Sequence, residues 1–232
     1  MATKKVSRQS KKPSSDFEKR CPKAMSDALG RMCDAAALEL ARLTDTFGQR
    51  GIREEMLFPA IFAANGVGST SLIVEARRDG KGKGARNSKR KKRGAPPRTD
   101  FLLFSRSGGK ATHQLAIEMK IVKLTSSKIK ISKAQILGTC STLTPHYFKD
   151  YGESPERLGG VLLGVMRVAR GDIGKGGLDE DEKLCRARLP QELEDKPFIA
   201  FARFHGQSCR TFAVVLRLDS DSKPNGVKNA AK

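Results

Sequence analysis

Aromatic side chains are scarce in this chain of 232 residues: tryptophan is absent, and the aromatic fraction is only 6%. Proteins that bind single-stranded nucleic acid by base stacking present a series of exposed aromatic rings. The composition therefore argues against a stacking platform of that kind. With 38% hydrophobic residues, the chain still holds enough apolar side chains for the core of one domain of good size.

Cysteine and histidine are also few, and neither occurs in a metal-binding spacing. The five cysteines are odd in number and include no C-x-x-C pair, which argues against a zinc or iron–sulfur site and against a disulfide framework. The three histidines, His113, His146 and His205, form no H-x-H or ββα-metal pattern. No serine or cysteine has an obvious histidine partner for nucleophilic catalysis.

Long apolar runs and phosphate-loop spacings are missing as well. No segment has the length of apolar sequence that a membrane span requires, and the basic N-terminus lacks the apolar region of a secretory signal. The glycines of residues 171–183 do not follow the spacing of a nucleotide-binding loop. We therefore expect a reduced, cytoplasmic protein without a membrane anchor and without a nucleotide cofactor.

Basic residues are what the chain has in excess. Lysine and arginine number 45 against 25 acidic residues, for a formal net charge of +20. Such an excess favours a polyanionic partner, most often nucleic acid, because bound lysines and arginines release its counterions. The scarcity of aromatic rings favours the backbone of a duplex over single strands. The densest basic segment is the Gly-, Lys- and Arg-rich run over residues 77–98, which we interpret as a long loop.

The spacing of apolar residues predicts one domain over residues 21–220, between a disordered basic arm (1–20) and a polar tail (221–232). Residues 21–50 form a helical N-terminal part, residues 52–168 the central unit, and residues 198–218 a C-terminal hairpin. The expected helices and strands are, in order, helices Cys21–Phe47 and Ile52–Ala64, strands Ser71–Arg77, Phe101–Phe104 and Leu115–Val122, helix Ser126–Asp150, and strands Leu158–Val168, Phe198–Phe204 and Phe212–Leu218.

This order of elements predicts an α/β or α+β fold around a mixed central sheet that is flanked by helices. Pro59 is expected to distort the second helix. The acidic, glycine-rich run Gly171–Lys183 is expected to be a mobile loop.

Charged residues interrupt the two apolar strands that Gly108 and Gly109 join. Asp100 opens the first strand, and Glu118 and Lys120 lie in the second, on the same side because side chains alternate along a strand. A hairpin would bring Asp100 within reach of Glu118. Burying these charges is costly unless they bind a metal ion, and carboxylates without cysteine or histidine suit a hard cation such as Mg²⁺.

A further acidic residue lies earlier in the chain, on the second predicted helix. Glu54 lies one turn before Leu57 and Phe58, so it shares the face that turns toward the core, whereas Glu55 lies off that face. An acid in this position is either solvated at the helix end or functional. Glu75, on the first predicted strand, remains an alternative to Glu54, as does Glu55.

The ordered set of Glu54, Asp100 and Glu118-x-Lys120 resembles the PD-(D/E)xK nuclease superfamily, which has the restriction-endonuclease-like fold. The resemblance covers about Ile52–Val168 and depends on a short motif and the order of elements. Thr99 departs from it, because the family prefers proline there. It implies that Asp100, Glu118 and the backbone carbonyl of Met119 hold the metal, that Lys120 acts on the attacking water or the phosphorane, and that Glu54 is the helix acid.

The resemblance also implies a function. We expect a Mg²⁺-dependent endonuclease that hydrolyses double-stranded DNA, with Mn²⁺ as a substitute metal, most similar to a type II restriction endonuclease that acts as a homodimer. The alternatives are a structure-specific nuclease, such as a junction resolvase or a repair or phage nuclease, and a nonenzymatic basic nucleic-acid-binding protein. The candidate nucleic-acid-binding residues are Lys89, Arg90, Lys91, Lys92, Arg93, Lys123, Lys128, Lys130, Lys133 and Gln135.

Overall fold

The computed structural model describes residues 16–48, 51–65, 69–77, 98–122, 128–132, 135, 139, 153–169 and 177–218. In this part of the chain, helices cover both faces of one sheet. The helices are α1 (Asp16–Arg20), α2 (Lys23–Phe47), α3 (Phe58–Ala64) and α4 (Leu178–Arg186), with 3-10 turns at Glu54–Leu57 and Gln191–Leu193. The strands are β1 (Thr70–Arg77), β2 (Arg98–Ser107), β3 (Lys110–Val122), β4 (Glu156–Ala169), β5 (Ala200–His205) and β6 (Cys209–Arg217).

The six strands form a mixed sheet in the order β1-β2-β3-β4-β6-β5. Strands β1, β2 and β3 make an antiparallel meander, β3 pairs with β4 in parallel, and β6 joins β4 and β5 by antiparallel pairing. A parallel pair requires a crossover connection, and Gln135 and Thr139 are helical within the segment that makes it. The predicted α/β architecture with a mixed sheet between helices is confirmed at this level.

Helix α2 builds the larger core because its apolar residues recur every three or four positions. Met25, Leu29, Met32 and Leu40 are fully buried, and they pack with the inward-facing side chains of β2, β3, β4 and β6. The helix ends at Gly48, whose φ of +70° favours glycine. The predicted helix Cys21–Phe47 is confirmed except at its start, because α2 begins at Lys23, after Pro22.

Helix α4 covers the opposite face of the sheet, which corrects the prediction of a mobile loop over Gly171–Lys183. Its buried Cys185 packs with Leu162, Phe212 and other residues of that face. Asp181, only 4% exposed, pairs with Arg203 at 2.9 Å and Arg210 at 2.7 Å. The acidic run is helical because these contacts anchor it to β5 and β6. Residues 171–176 lie outside the described part.

The predicted disordered arm also contains structure, because residues 16–20 form α1. Phe17 is buried in the core, and the Arg217 guanidinium lies 5.1 Å from its ring centre. Arg20 donates to Glu156 of β4. A single apolar residue in a polar segment is thus enough to attach the end of the arm to the sheet. Residues 1–15 lie outside the described part of the chain.

The predicted helix Ile52–Ala64 is divided into a 3-10 turn, Glu54–Leu57, and helix α3. Pro59 lies in the first turn of α3. A backbone N–H at that position would have no acceptor within the helix, so a proline there costs no hydrogen bond. The predicted helix is thus not continuous: it changes from a 3-10 turn to the α-helix at Phe58, one residue before Pro59.

The predicted helix Ser126–Asp150 begins later than expected. Residues 128–132 are not helical, and Ile129 is buried between the exposed Lys128 and Lys130. That alternation is typical of an extended segment rather than a helix. Ser132 Oγ accepts from the Gln135 backbone N–H at 3.1 Å, and Gln135 Oε1 accepts from the Ser132 N–H at 2.9 Å. This reciprocal pair has the pattern of a capping box with Ser132 as the N-cap.

Both predicted hairpins are confirmed, with longer strands in the first. Gly108 and Gly109 have φ values of +56° and +80°, as a two-residue type I′ turn requires. Strands β2 (Arg98–Ser107) and β3 (Lys110–Val122) are longer than predicted, because their backbone pairing continues to Ser107 with Lys110 at the turn.

Among the described helices, none combines the length and apolarity needed to cross a membrane.

The turn between β5 and β6 is held by Asp45 at the end of α2. The Asp45 carboxylate accepts from the backbone N–H groups of Gln207 at 2.9 Å and Ser208 at 3.0 Å. A Cβ on Gly206 would lie 2.9 Å from Asp45 Oδ2 and 3.2 Å from the Cys209 carbonyl. The turn therefore has no room for a side chain at position 206.

Replacing Gly206 with alanine is expected to lower the free energy of unfolding by about 1–3 kcal/mol, because Asp45 must leave the backbone N–H groups it accepts from. Urea unfolding measures the change. Gly177→Ala is the matched control, since a Cβ there meets nothing within 4 Å. Equal stability of the two variants would contradict the contact described for Gly206.

Candidate active site

Strands β2 and β3 separate at the end that carries the predicted site. Their pairing ends at Phe101 with Ile117. Beyond that pair, β2 stays with β1 as far as Arg98, and β3 stays with β4 as far as Val122. We call this gap the fork, formed by Asp100 on β2 and residues 118–122 on β3. The backbone groups of β3 that face the gap have lost their strand partner.

Two carboxylates accept hydrogen bonds from backbone N–H groups of β3 that face the fork. Asp100 Oδ2 accepts the backbone N–H of Met119 at 2.7 Å, and Glu54 Oε1 accepts the backbone N–H of Ile121 at 3.1 Å. Glu54 reaches the fork because it begins the 3-10 turn that precedes α3. In an antiparallel ladder, the N–H and the carbonyl of a paired residue point to the same neighbouring strand. The Met119 backbone therefore faces the fork.

Lys120 lies between the acids of the fork. Its Nζ is 3.1 Å from Glu54 Oε2 and 3.4 Å from Glu118 Oε1. The side chain of Glu118 is only 6% exposed and that of Lys120 is 18% exposed, whereas that of Glu54 is 30% exposed. The site thus has a buried inner end at Glu118 and a more open end at Glu54.

The electrostatic environment of the fork changes the acidity of two of its groups. The pKa of the Asp100 carboxyl is raised to about 6: burial is the largest cause, Glu118 and Glu54 contribute, and the N–H of Met119 and the charge of Lys120 oppose the rise. Burial lowers the pKa of Lys120, but the carboxylates of Glu54, Asp100 and Glu118 outweigh that effect and raise it above its ordinary value. The neighbouring carboxylates thus contribute to both shifts.

The donor set of the fork fits a hard divalent cation. Three carboxylates face one ammonium group, so negative charge is concentrated at one point of a chain whose net charge is +20. Within the described ranges, no group of three or more His, Cys, Asp and Glu side chains has the geometry of a metal site. Mg²⁺ is usually held by only one or two carboxylates and keeps several waters. Asp100, Glu118 and the Met119 carbonyl offer oxygen donors of the kind that this mode of binding uses.

Of the two candidate auxiliary acids on this turn, the structure places Glu54 at the fork and Glu55 away from it. Glu54 contacts Lys120 and Ile121, while Glu55 is exposed on the same turn. The side chain of Glu75 lies outside the described part. Helical periodicity placed Glu54 on the core side, but the 3-10 turn directs its carboxylate to the fork.

The candidate nucleic-acid-binding residues are only partly described. Gln135, one of these candidates, accepts the backbone N–H of Ser132 with its side-chain oxygen. Lys128 pairs with Glu194, whereas Lys130 is exposed. Residues Lys89, Arg90, Lys91, Lys92, Arg93, Lys123 and Lys133 lie outside the described part of the chain.

Thr139 is a site residue that the sequence analysis missed. Its hydroxyl donates to Glu118 Oε2 at 3.4 Å, and the residue is fully buried. The spacing of apolar residues had placed Thr139 in the predicted helix Ser126–Asp150, and residue 139 is helical. No pattern of neighbouring residues predicts that this threonine contacts a glutamate 21 residues earlier.

Comparison of the chain with protein-family models, characterised proteins and solved structures gave no match. The function is therefore inferred from the fork and from the charge of the chain.

Proposed function

We propose that this protein is a Mg²⁺-dependent endonuclease that hydrolyses phosphodiester bonds of double-stranded DNA, most similar to a type II restriction endonuclease. The observation that carries the proposal is the convergence of Asp100, Glu118 and Lys120 at the fork, with two carboxylates hydrogen-bonded to β3. Mg²⁺ is the expected ion, with Mn²⁺ as a substitute.

Phosphodiester hydrolysis needs a nucleophilic water and neutralisation of the charge that develops on the phosphate. A bound divalent cation supplies both. In this proposal Asp100, Glu118 and the Met119 carbonyl hold the cation. Lys120, kept protonated by its three acidic neighbours, places a positive charge beside the reacting phosphate. Glu54 orients the Lys120 ammonium through the contact at 3.1 Å.

The order of elements supports the assignment to a restriction-endonuclease-like fold. A helical segment with Glu54 precedes the antiparallel meander β1-β2-β3, helical residues follow it, and β4 then pairs in parallel with β3. The resemblance places the catalytic centre where the strands of the meander separate. In this chain, that position is the fork.

The partner in the proposal is duplex DNA, and the working form is a homodimer. A net charge of +20 favours binding to the phosphate backbone. A dimer with two-fold symmetry presents one active site to each strand of the duplex, which explains how a chain with a single fork cuts both strands.

Digestion of a large plasmid with Mg²⁺ tests the proposal, with EDTA and Asp100→Ala as controls. Discrete fragments that are lost in both controls are expected. A structure-specific nuclease would instead cut branched DNA and leave linear duplex intact. A nonenzymatic protein would bind DNA equally well with and without Mg²⁺, and equally well as wild type and Asp100→Ala, and that result would overturn the proposal.

The role of Glu54 gives a separate prediction. Glu54→Gln keeps an oxygen for the Ile121 N–H but loses the charge that pairs with Lys120, so the cleavage rate is expected to fall by about 10–100-fold. Glu55→Gln is the matched control, because Glu55 is exposed on the same turn, and it should cleave within about twofold of wild type. Initial rates on a linear duplex measure both. Similar rates for the two variants would show that Glu54 has no part in the reaction.

A further inference from the structure

We propose that Thr139 is a positioning residue, which holds the Glu118 carboxylate in the orientation that binds the metal ion. The inference rests on the proposed function, because it concerns the same site. It adds a residue that neither the motif nor the order of the strands indicates.

The two oxygens of Glu118 have different neighbours. Oε1 faces the ammonium group of Lys120 at 3.4 Å, and Oε2 accepts from the Thr139 hydroxyl at 3.4 Å. With one oxygen held by Thr139 and the other directed at Lys120, rotation of the carboxylate about its last bond is restricted. Oε1 is thereby kept at the fork, where the cation would bind.

Burial makes this hydrogen bond important for the carboxylate. Glu118 is 5% exposed and Thr139 is fully buried, so water cannot replace a lost protein partner at low cost. Hydrogen bonds from outside the ligand set orient metal-binding carboxylates, and their removal lowers metal affinity by about 10–100-fold.

Thr139 lies in the segment that connects β3 to β4. Gln135 and Thr139 of this segment are both helical, and Gln135 is held by its reciprocal hydrogen bonds with Ser132. The segment that connects β3 to β4 thus places the Thr139 hydroxyl against Glu118 of β3.

The test measures Mn²⁺ binding by calorimetry on the full-length protein after removal of metals with EDTA. In Thr139→Val, which replaces the hydroxyl by a methyl group, the dissociation constant for Mn²⁺ is expected to rise tenfold or more. Thr139→Ser keeps the hydroxyl and should stay within about twofold of wild type. Thr139→Ala also lacks the hydroxyl and replaces the valine variant if that variant does not fold.

Cleavage provides a second readout that a purely structural role would not change. The Mn²⁺ concentration for half-maximal cleavage should rise with the dissociation constant in Thr139→Val, while the rate at saturating Mn²⁺ stays within a few-fold of wild type. Wild-type affinity in the valine and alanine variants would overturn the inference, and so would equal loss in the serine variant. If Mn²⁺ binding to wild type is absent or does not depend on Asp100, the proposed function fails, and the inference fails with it.

Discussion

Replacing Asp100 with asparagine is expected to abolish cleavage and, in the absence of metal, to make the protein more stable at pH 8. Asparagine keeps an oxygen that can accept the Met119 N–H, which Asp100 binds at 2.7 Å. It lacks the charge that holds a divalent cation, so the cleavage rate should fall about a thousandfold or more. Activity and stability are therefore expected to change in opposite directions.

The stability change follows from the pKa of Asp100, which burial and the neighbouring carboxyls raise from 3.8 to about 6. The folded protein thus binds more protons than the unfolded chain between about pH 4 and pH 6, and the stability of the wild type falls as the pH rises through that range. A rise of about two in pKa corresponds to at most about 3 kcal/mol. The asparagine variant does not titrate there.

Thermal unfolding in EDTA at several pH values measures this effect. The melting temperature of Asp100→Asn should exceed that of wild type by several degrees at pH 8, and the difference should disappear near pH 4. Added Mg²⁺ should raise the melting temperature of wild type and leave the variant unchanged. A variant that is less stable than wild type at pH 8 would show that Asp100 has a structural role instead of carrying an unfavourable charge.

Lys120→Met is expected to lower the stability of the metal-free protein and to strengthen metal binding, the opposite of Asp100→Asn. Like Asp100→Asn, it is expected to remove activity. Lys120 is the ammonium group that balances Glu54 and Glu118, at 3.1 and 3.4 Å. Methionine keeps the apolar stem but leaves the carboxylates without that charge. The metal-free protein should lose about 1–3 kcal/mol of unfolding free energy, which is less than for a fully buried pair because Lys120 is partly exposed.

Without the lysine, the fork should attract a divalent cation more strongly, because a positive charge no longer competes for the same oxygens. We expect the Mg²⁺ dissociation constant to fall about tenfold, while the cleavage rate falls about 10²–10³-fold for lack of a cation at the phosphate. Calorimetry and initial rates measure the two quantities. Lys130→Met, at an exposed lysine, is the control and should leave metal affinity and stability unchanged. A loss of metal affinity in Lys120→Met would contradict the competition described here.

Much of the inner site was predictable because it depends on local rules. The two glycines fix the hairpin, strand alternation puts Glu118 and Lys120 on one side, and the hairpin brings Asp100 to Glu118. Each of these steps uses neighbouring residues or one cross-strand register. The same rules predicted α2 and the C-terminal hairpin.

The outer parts of the site and fold depend on distant contacts, which local patterns do not contain. The resemblance named Glu54 as the helix acid, but the sequence left Glu55 and Glu75 open. Glu54 differs from Glu55 only because a 3-10 turn, rather than an α-helix, directs one of them to Ile121, which lies 67 residues away. Helix α4 forms from an acidic run because Arg203 and Arg210 meet Asp181 on strands formed by a later part of the chain. Neither contact has a local pattern.

The parallel pairing of β3 with β4 has a consequence for how the chain folds. The β2–β3 and β5–β6 hairpins close short loops and can form early, whereas Val122 meets Met166 only after a long segment has closed, which is a slower, non-local step. Strand β3 can extend past its last pair with β2 only when β4 supports it from the other side. A partly folded chain that has formed both hairpins therefore has no fork, and the site proposed to cut DNA is complete only after this long-range pairing.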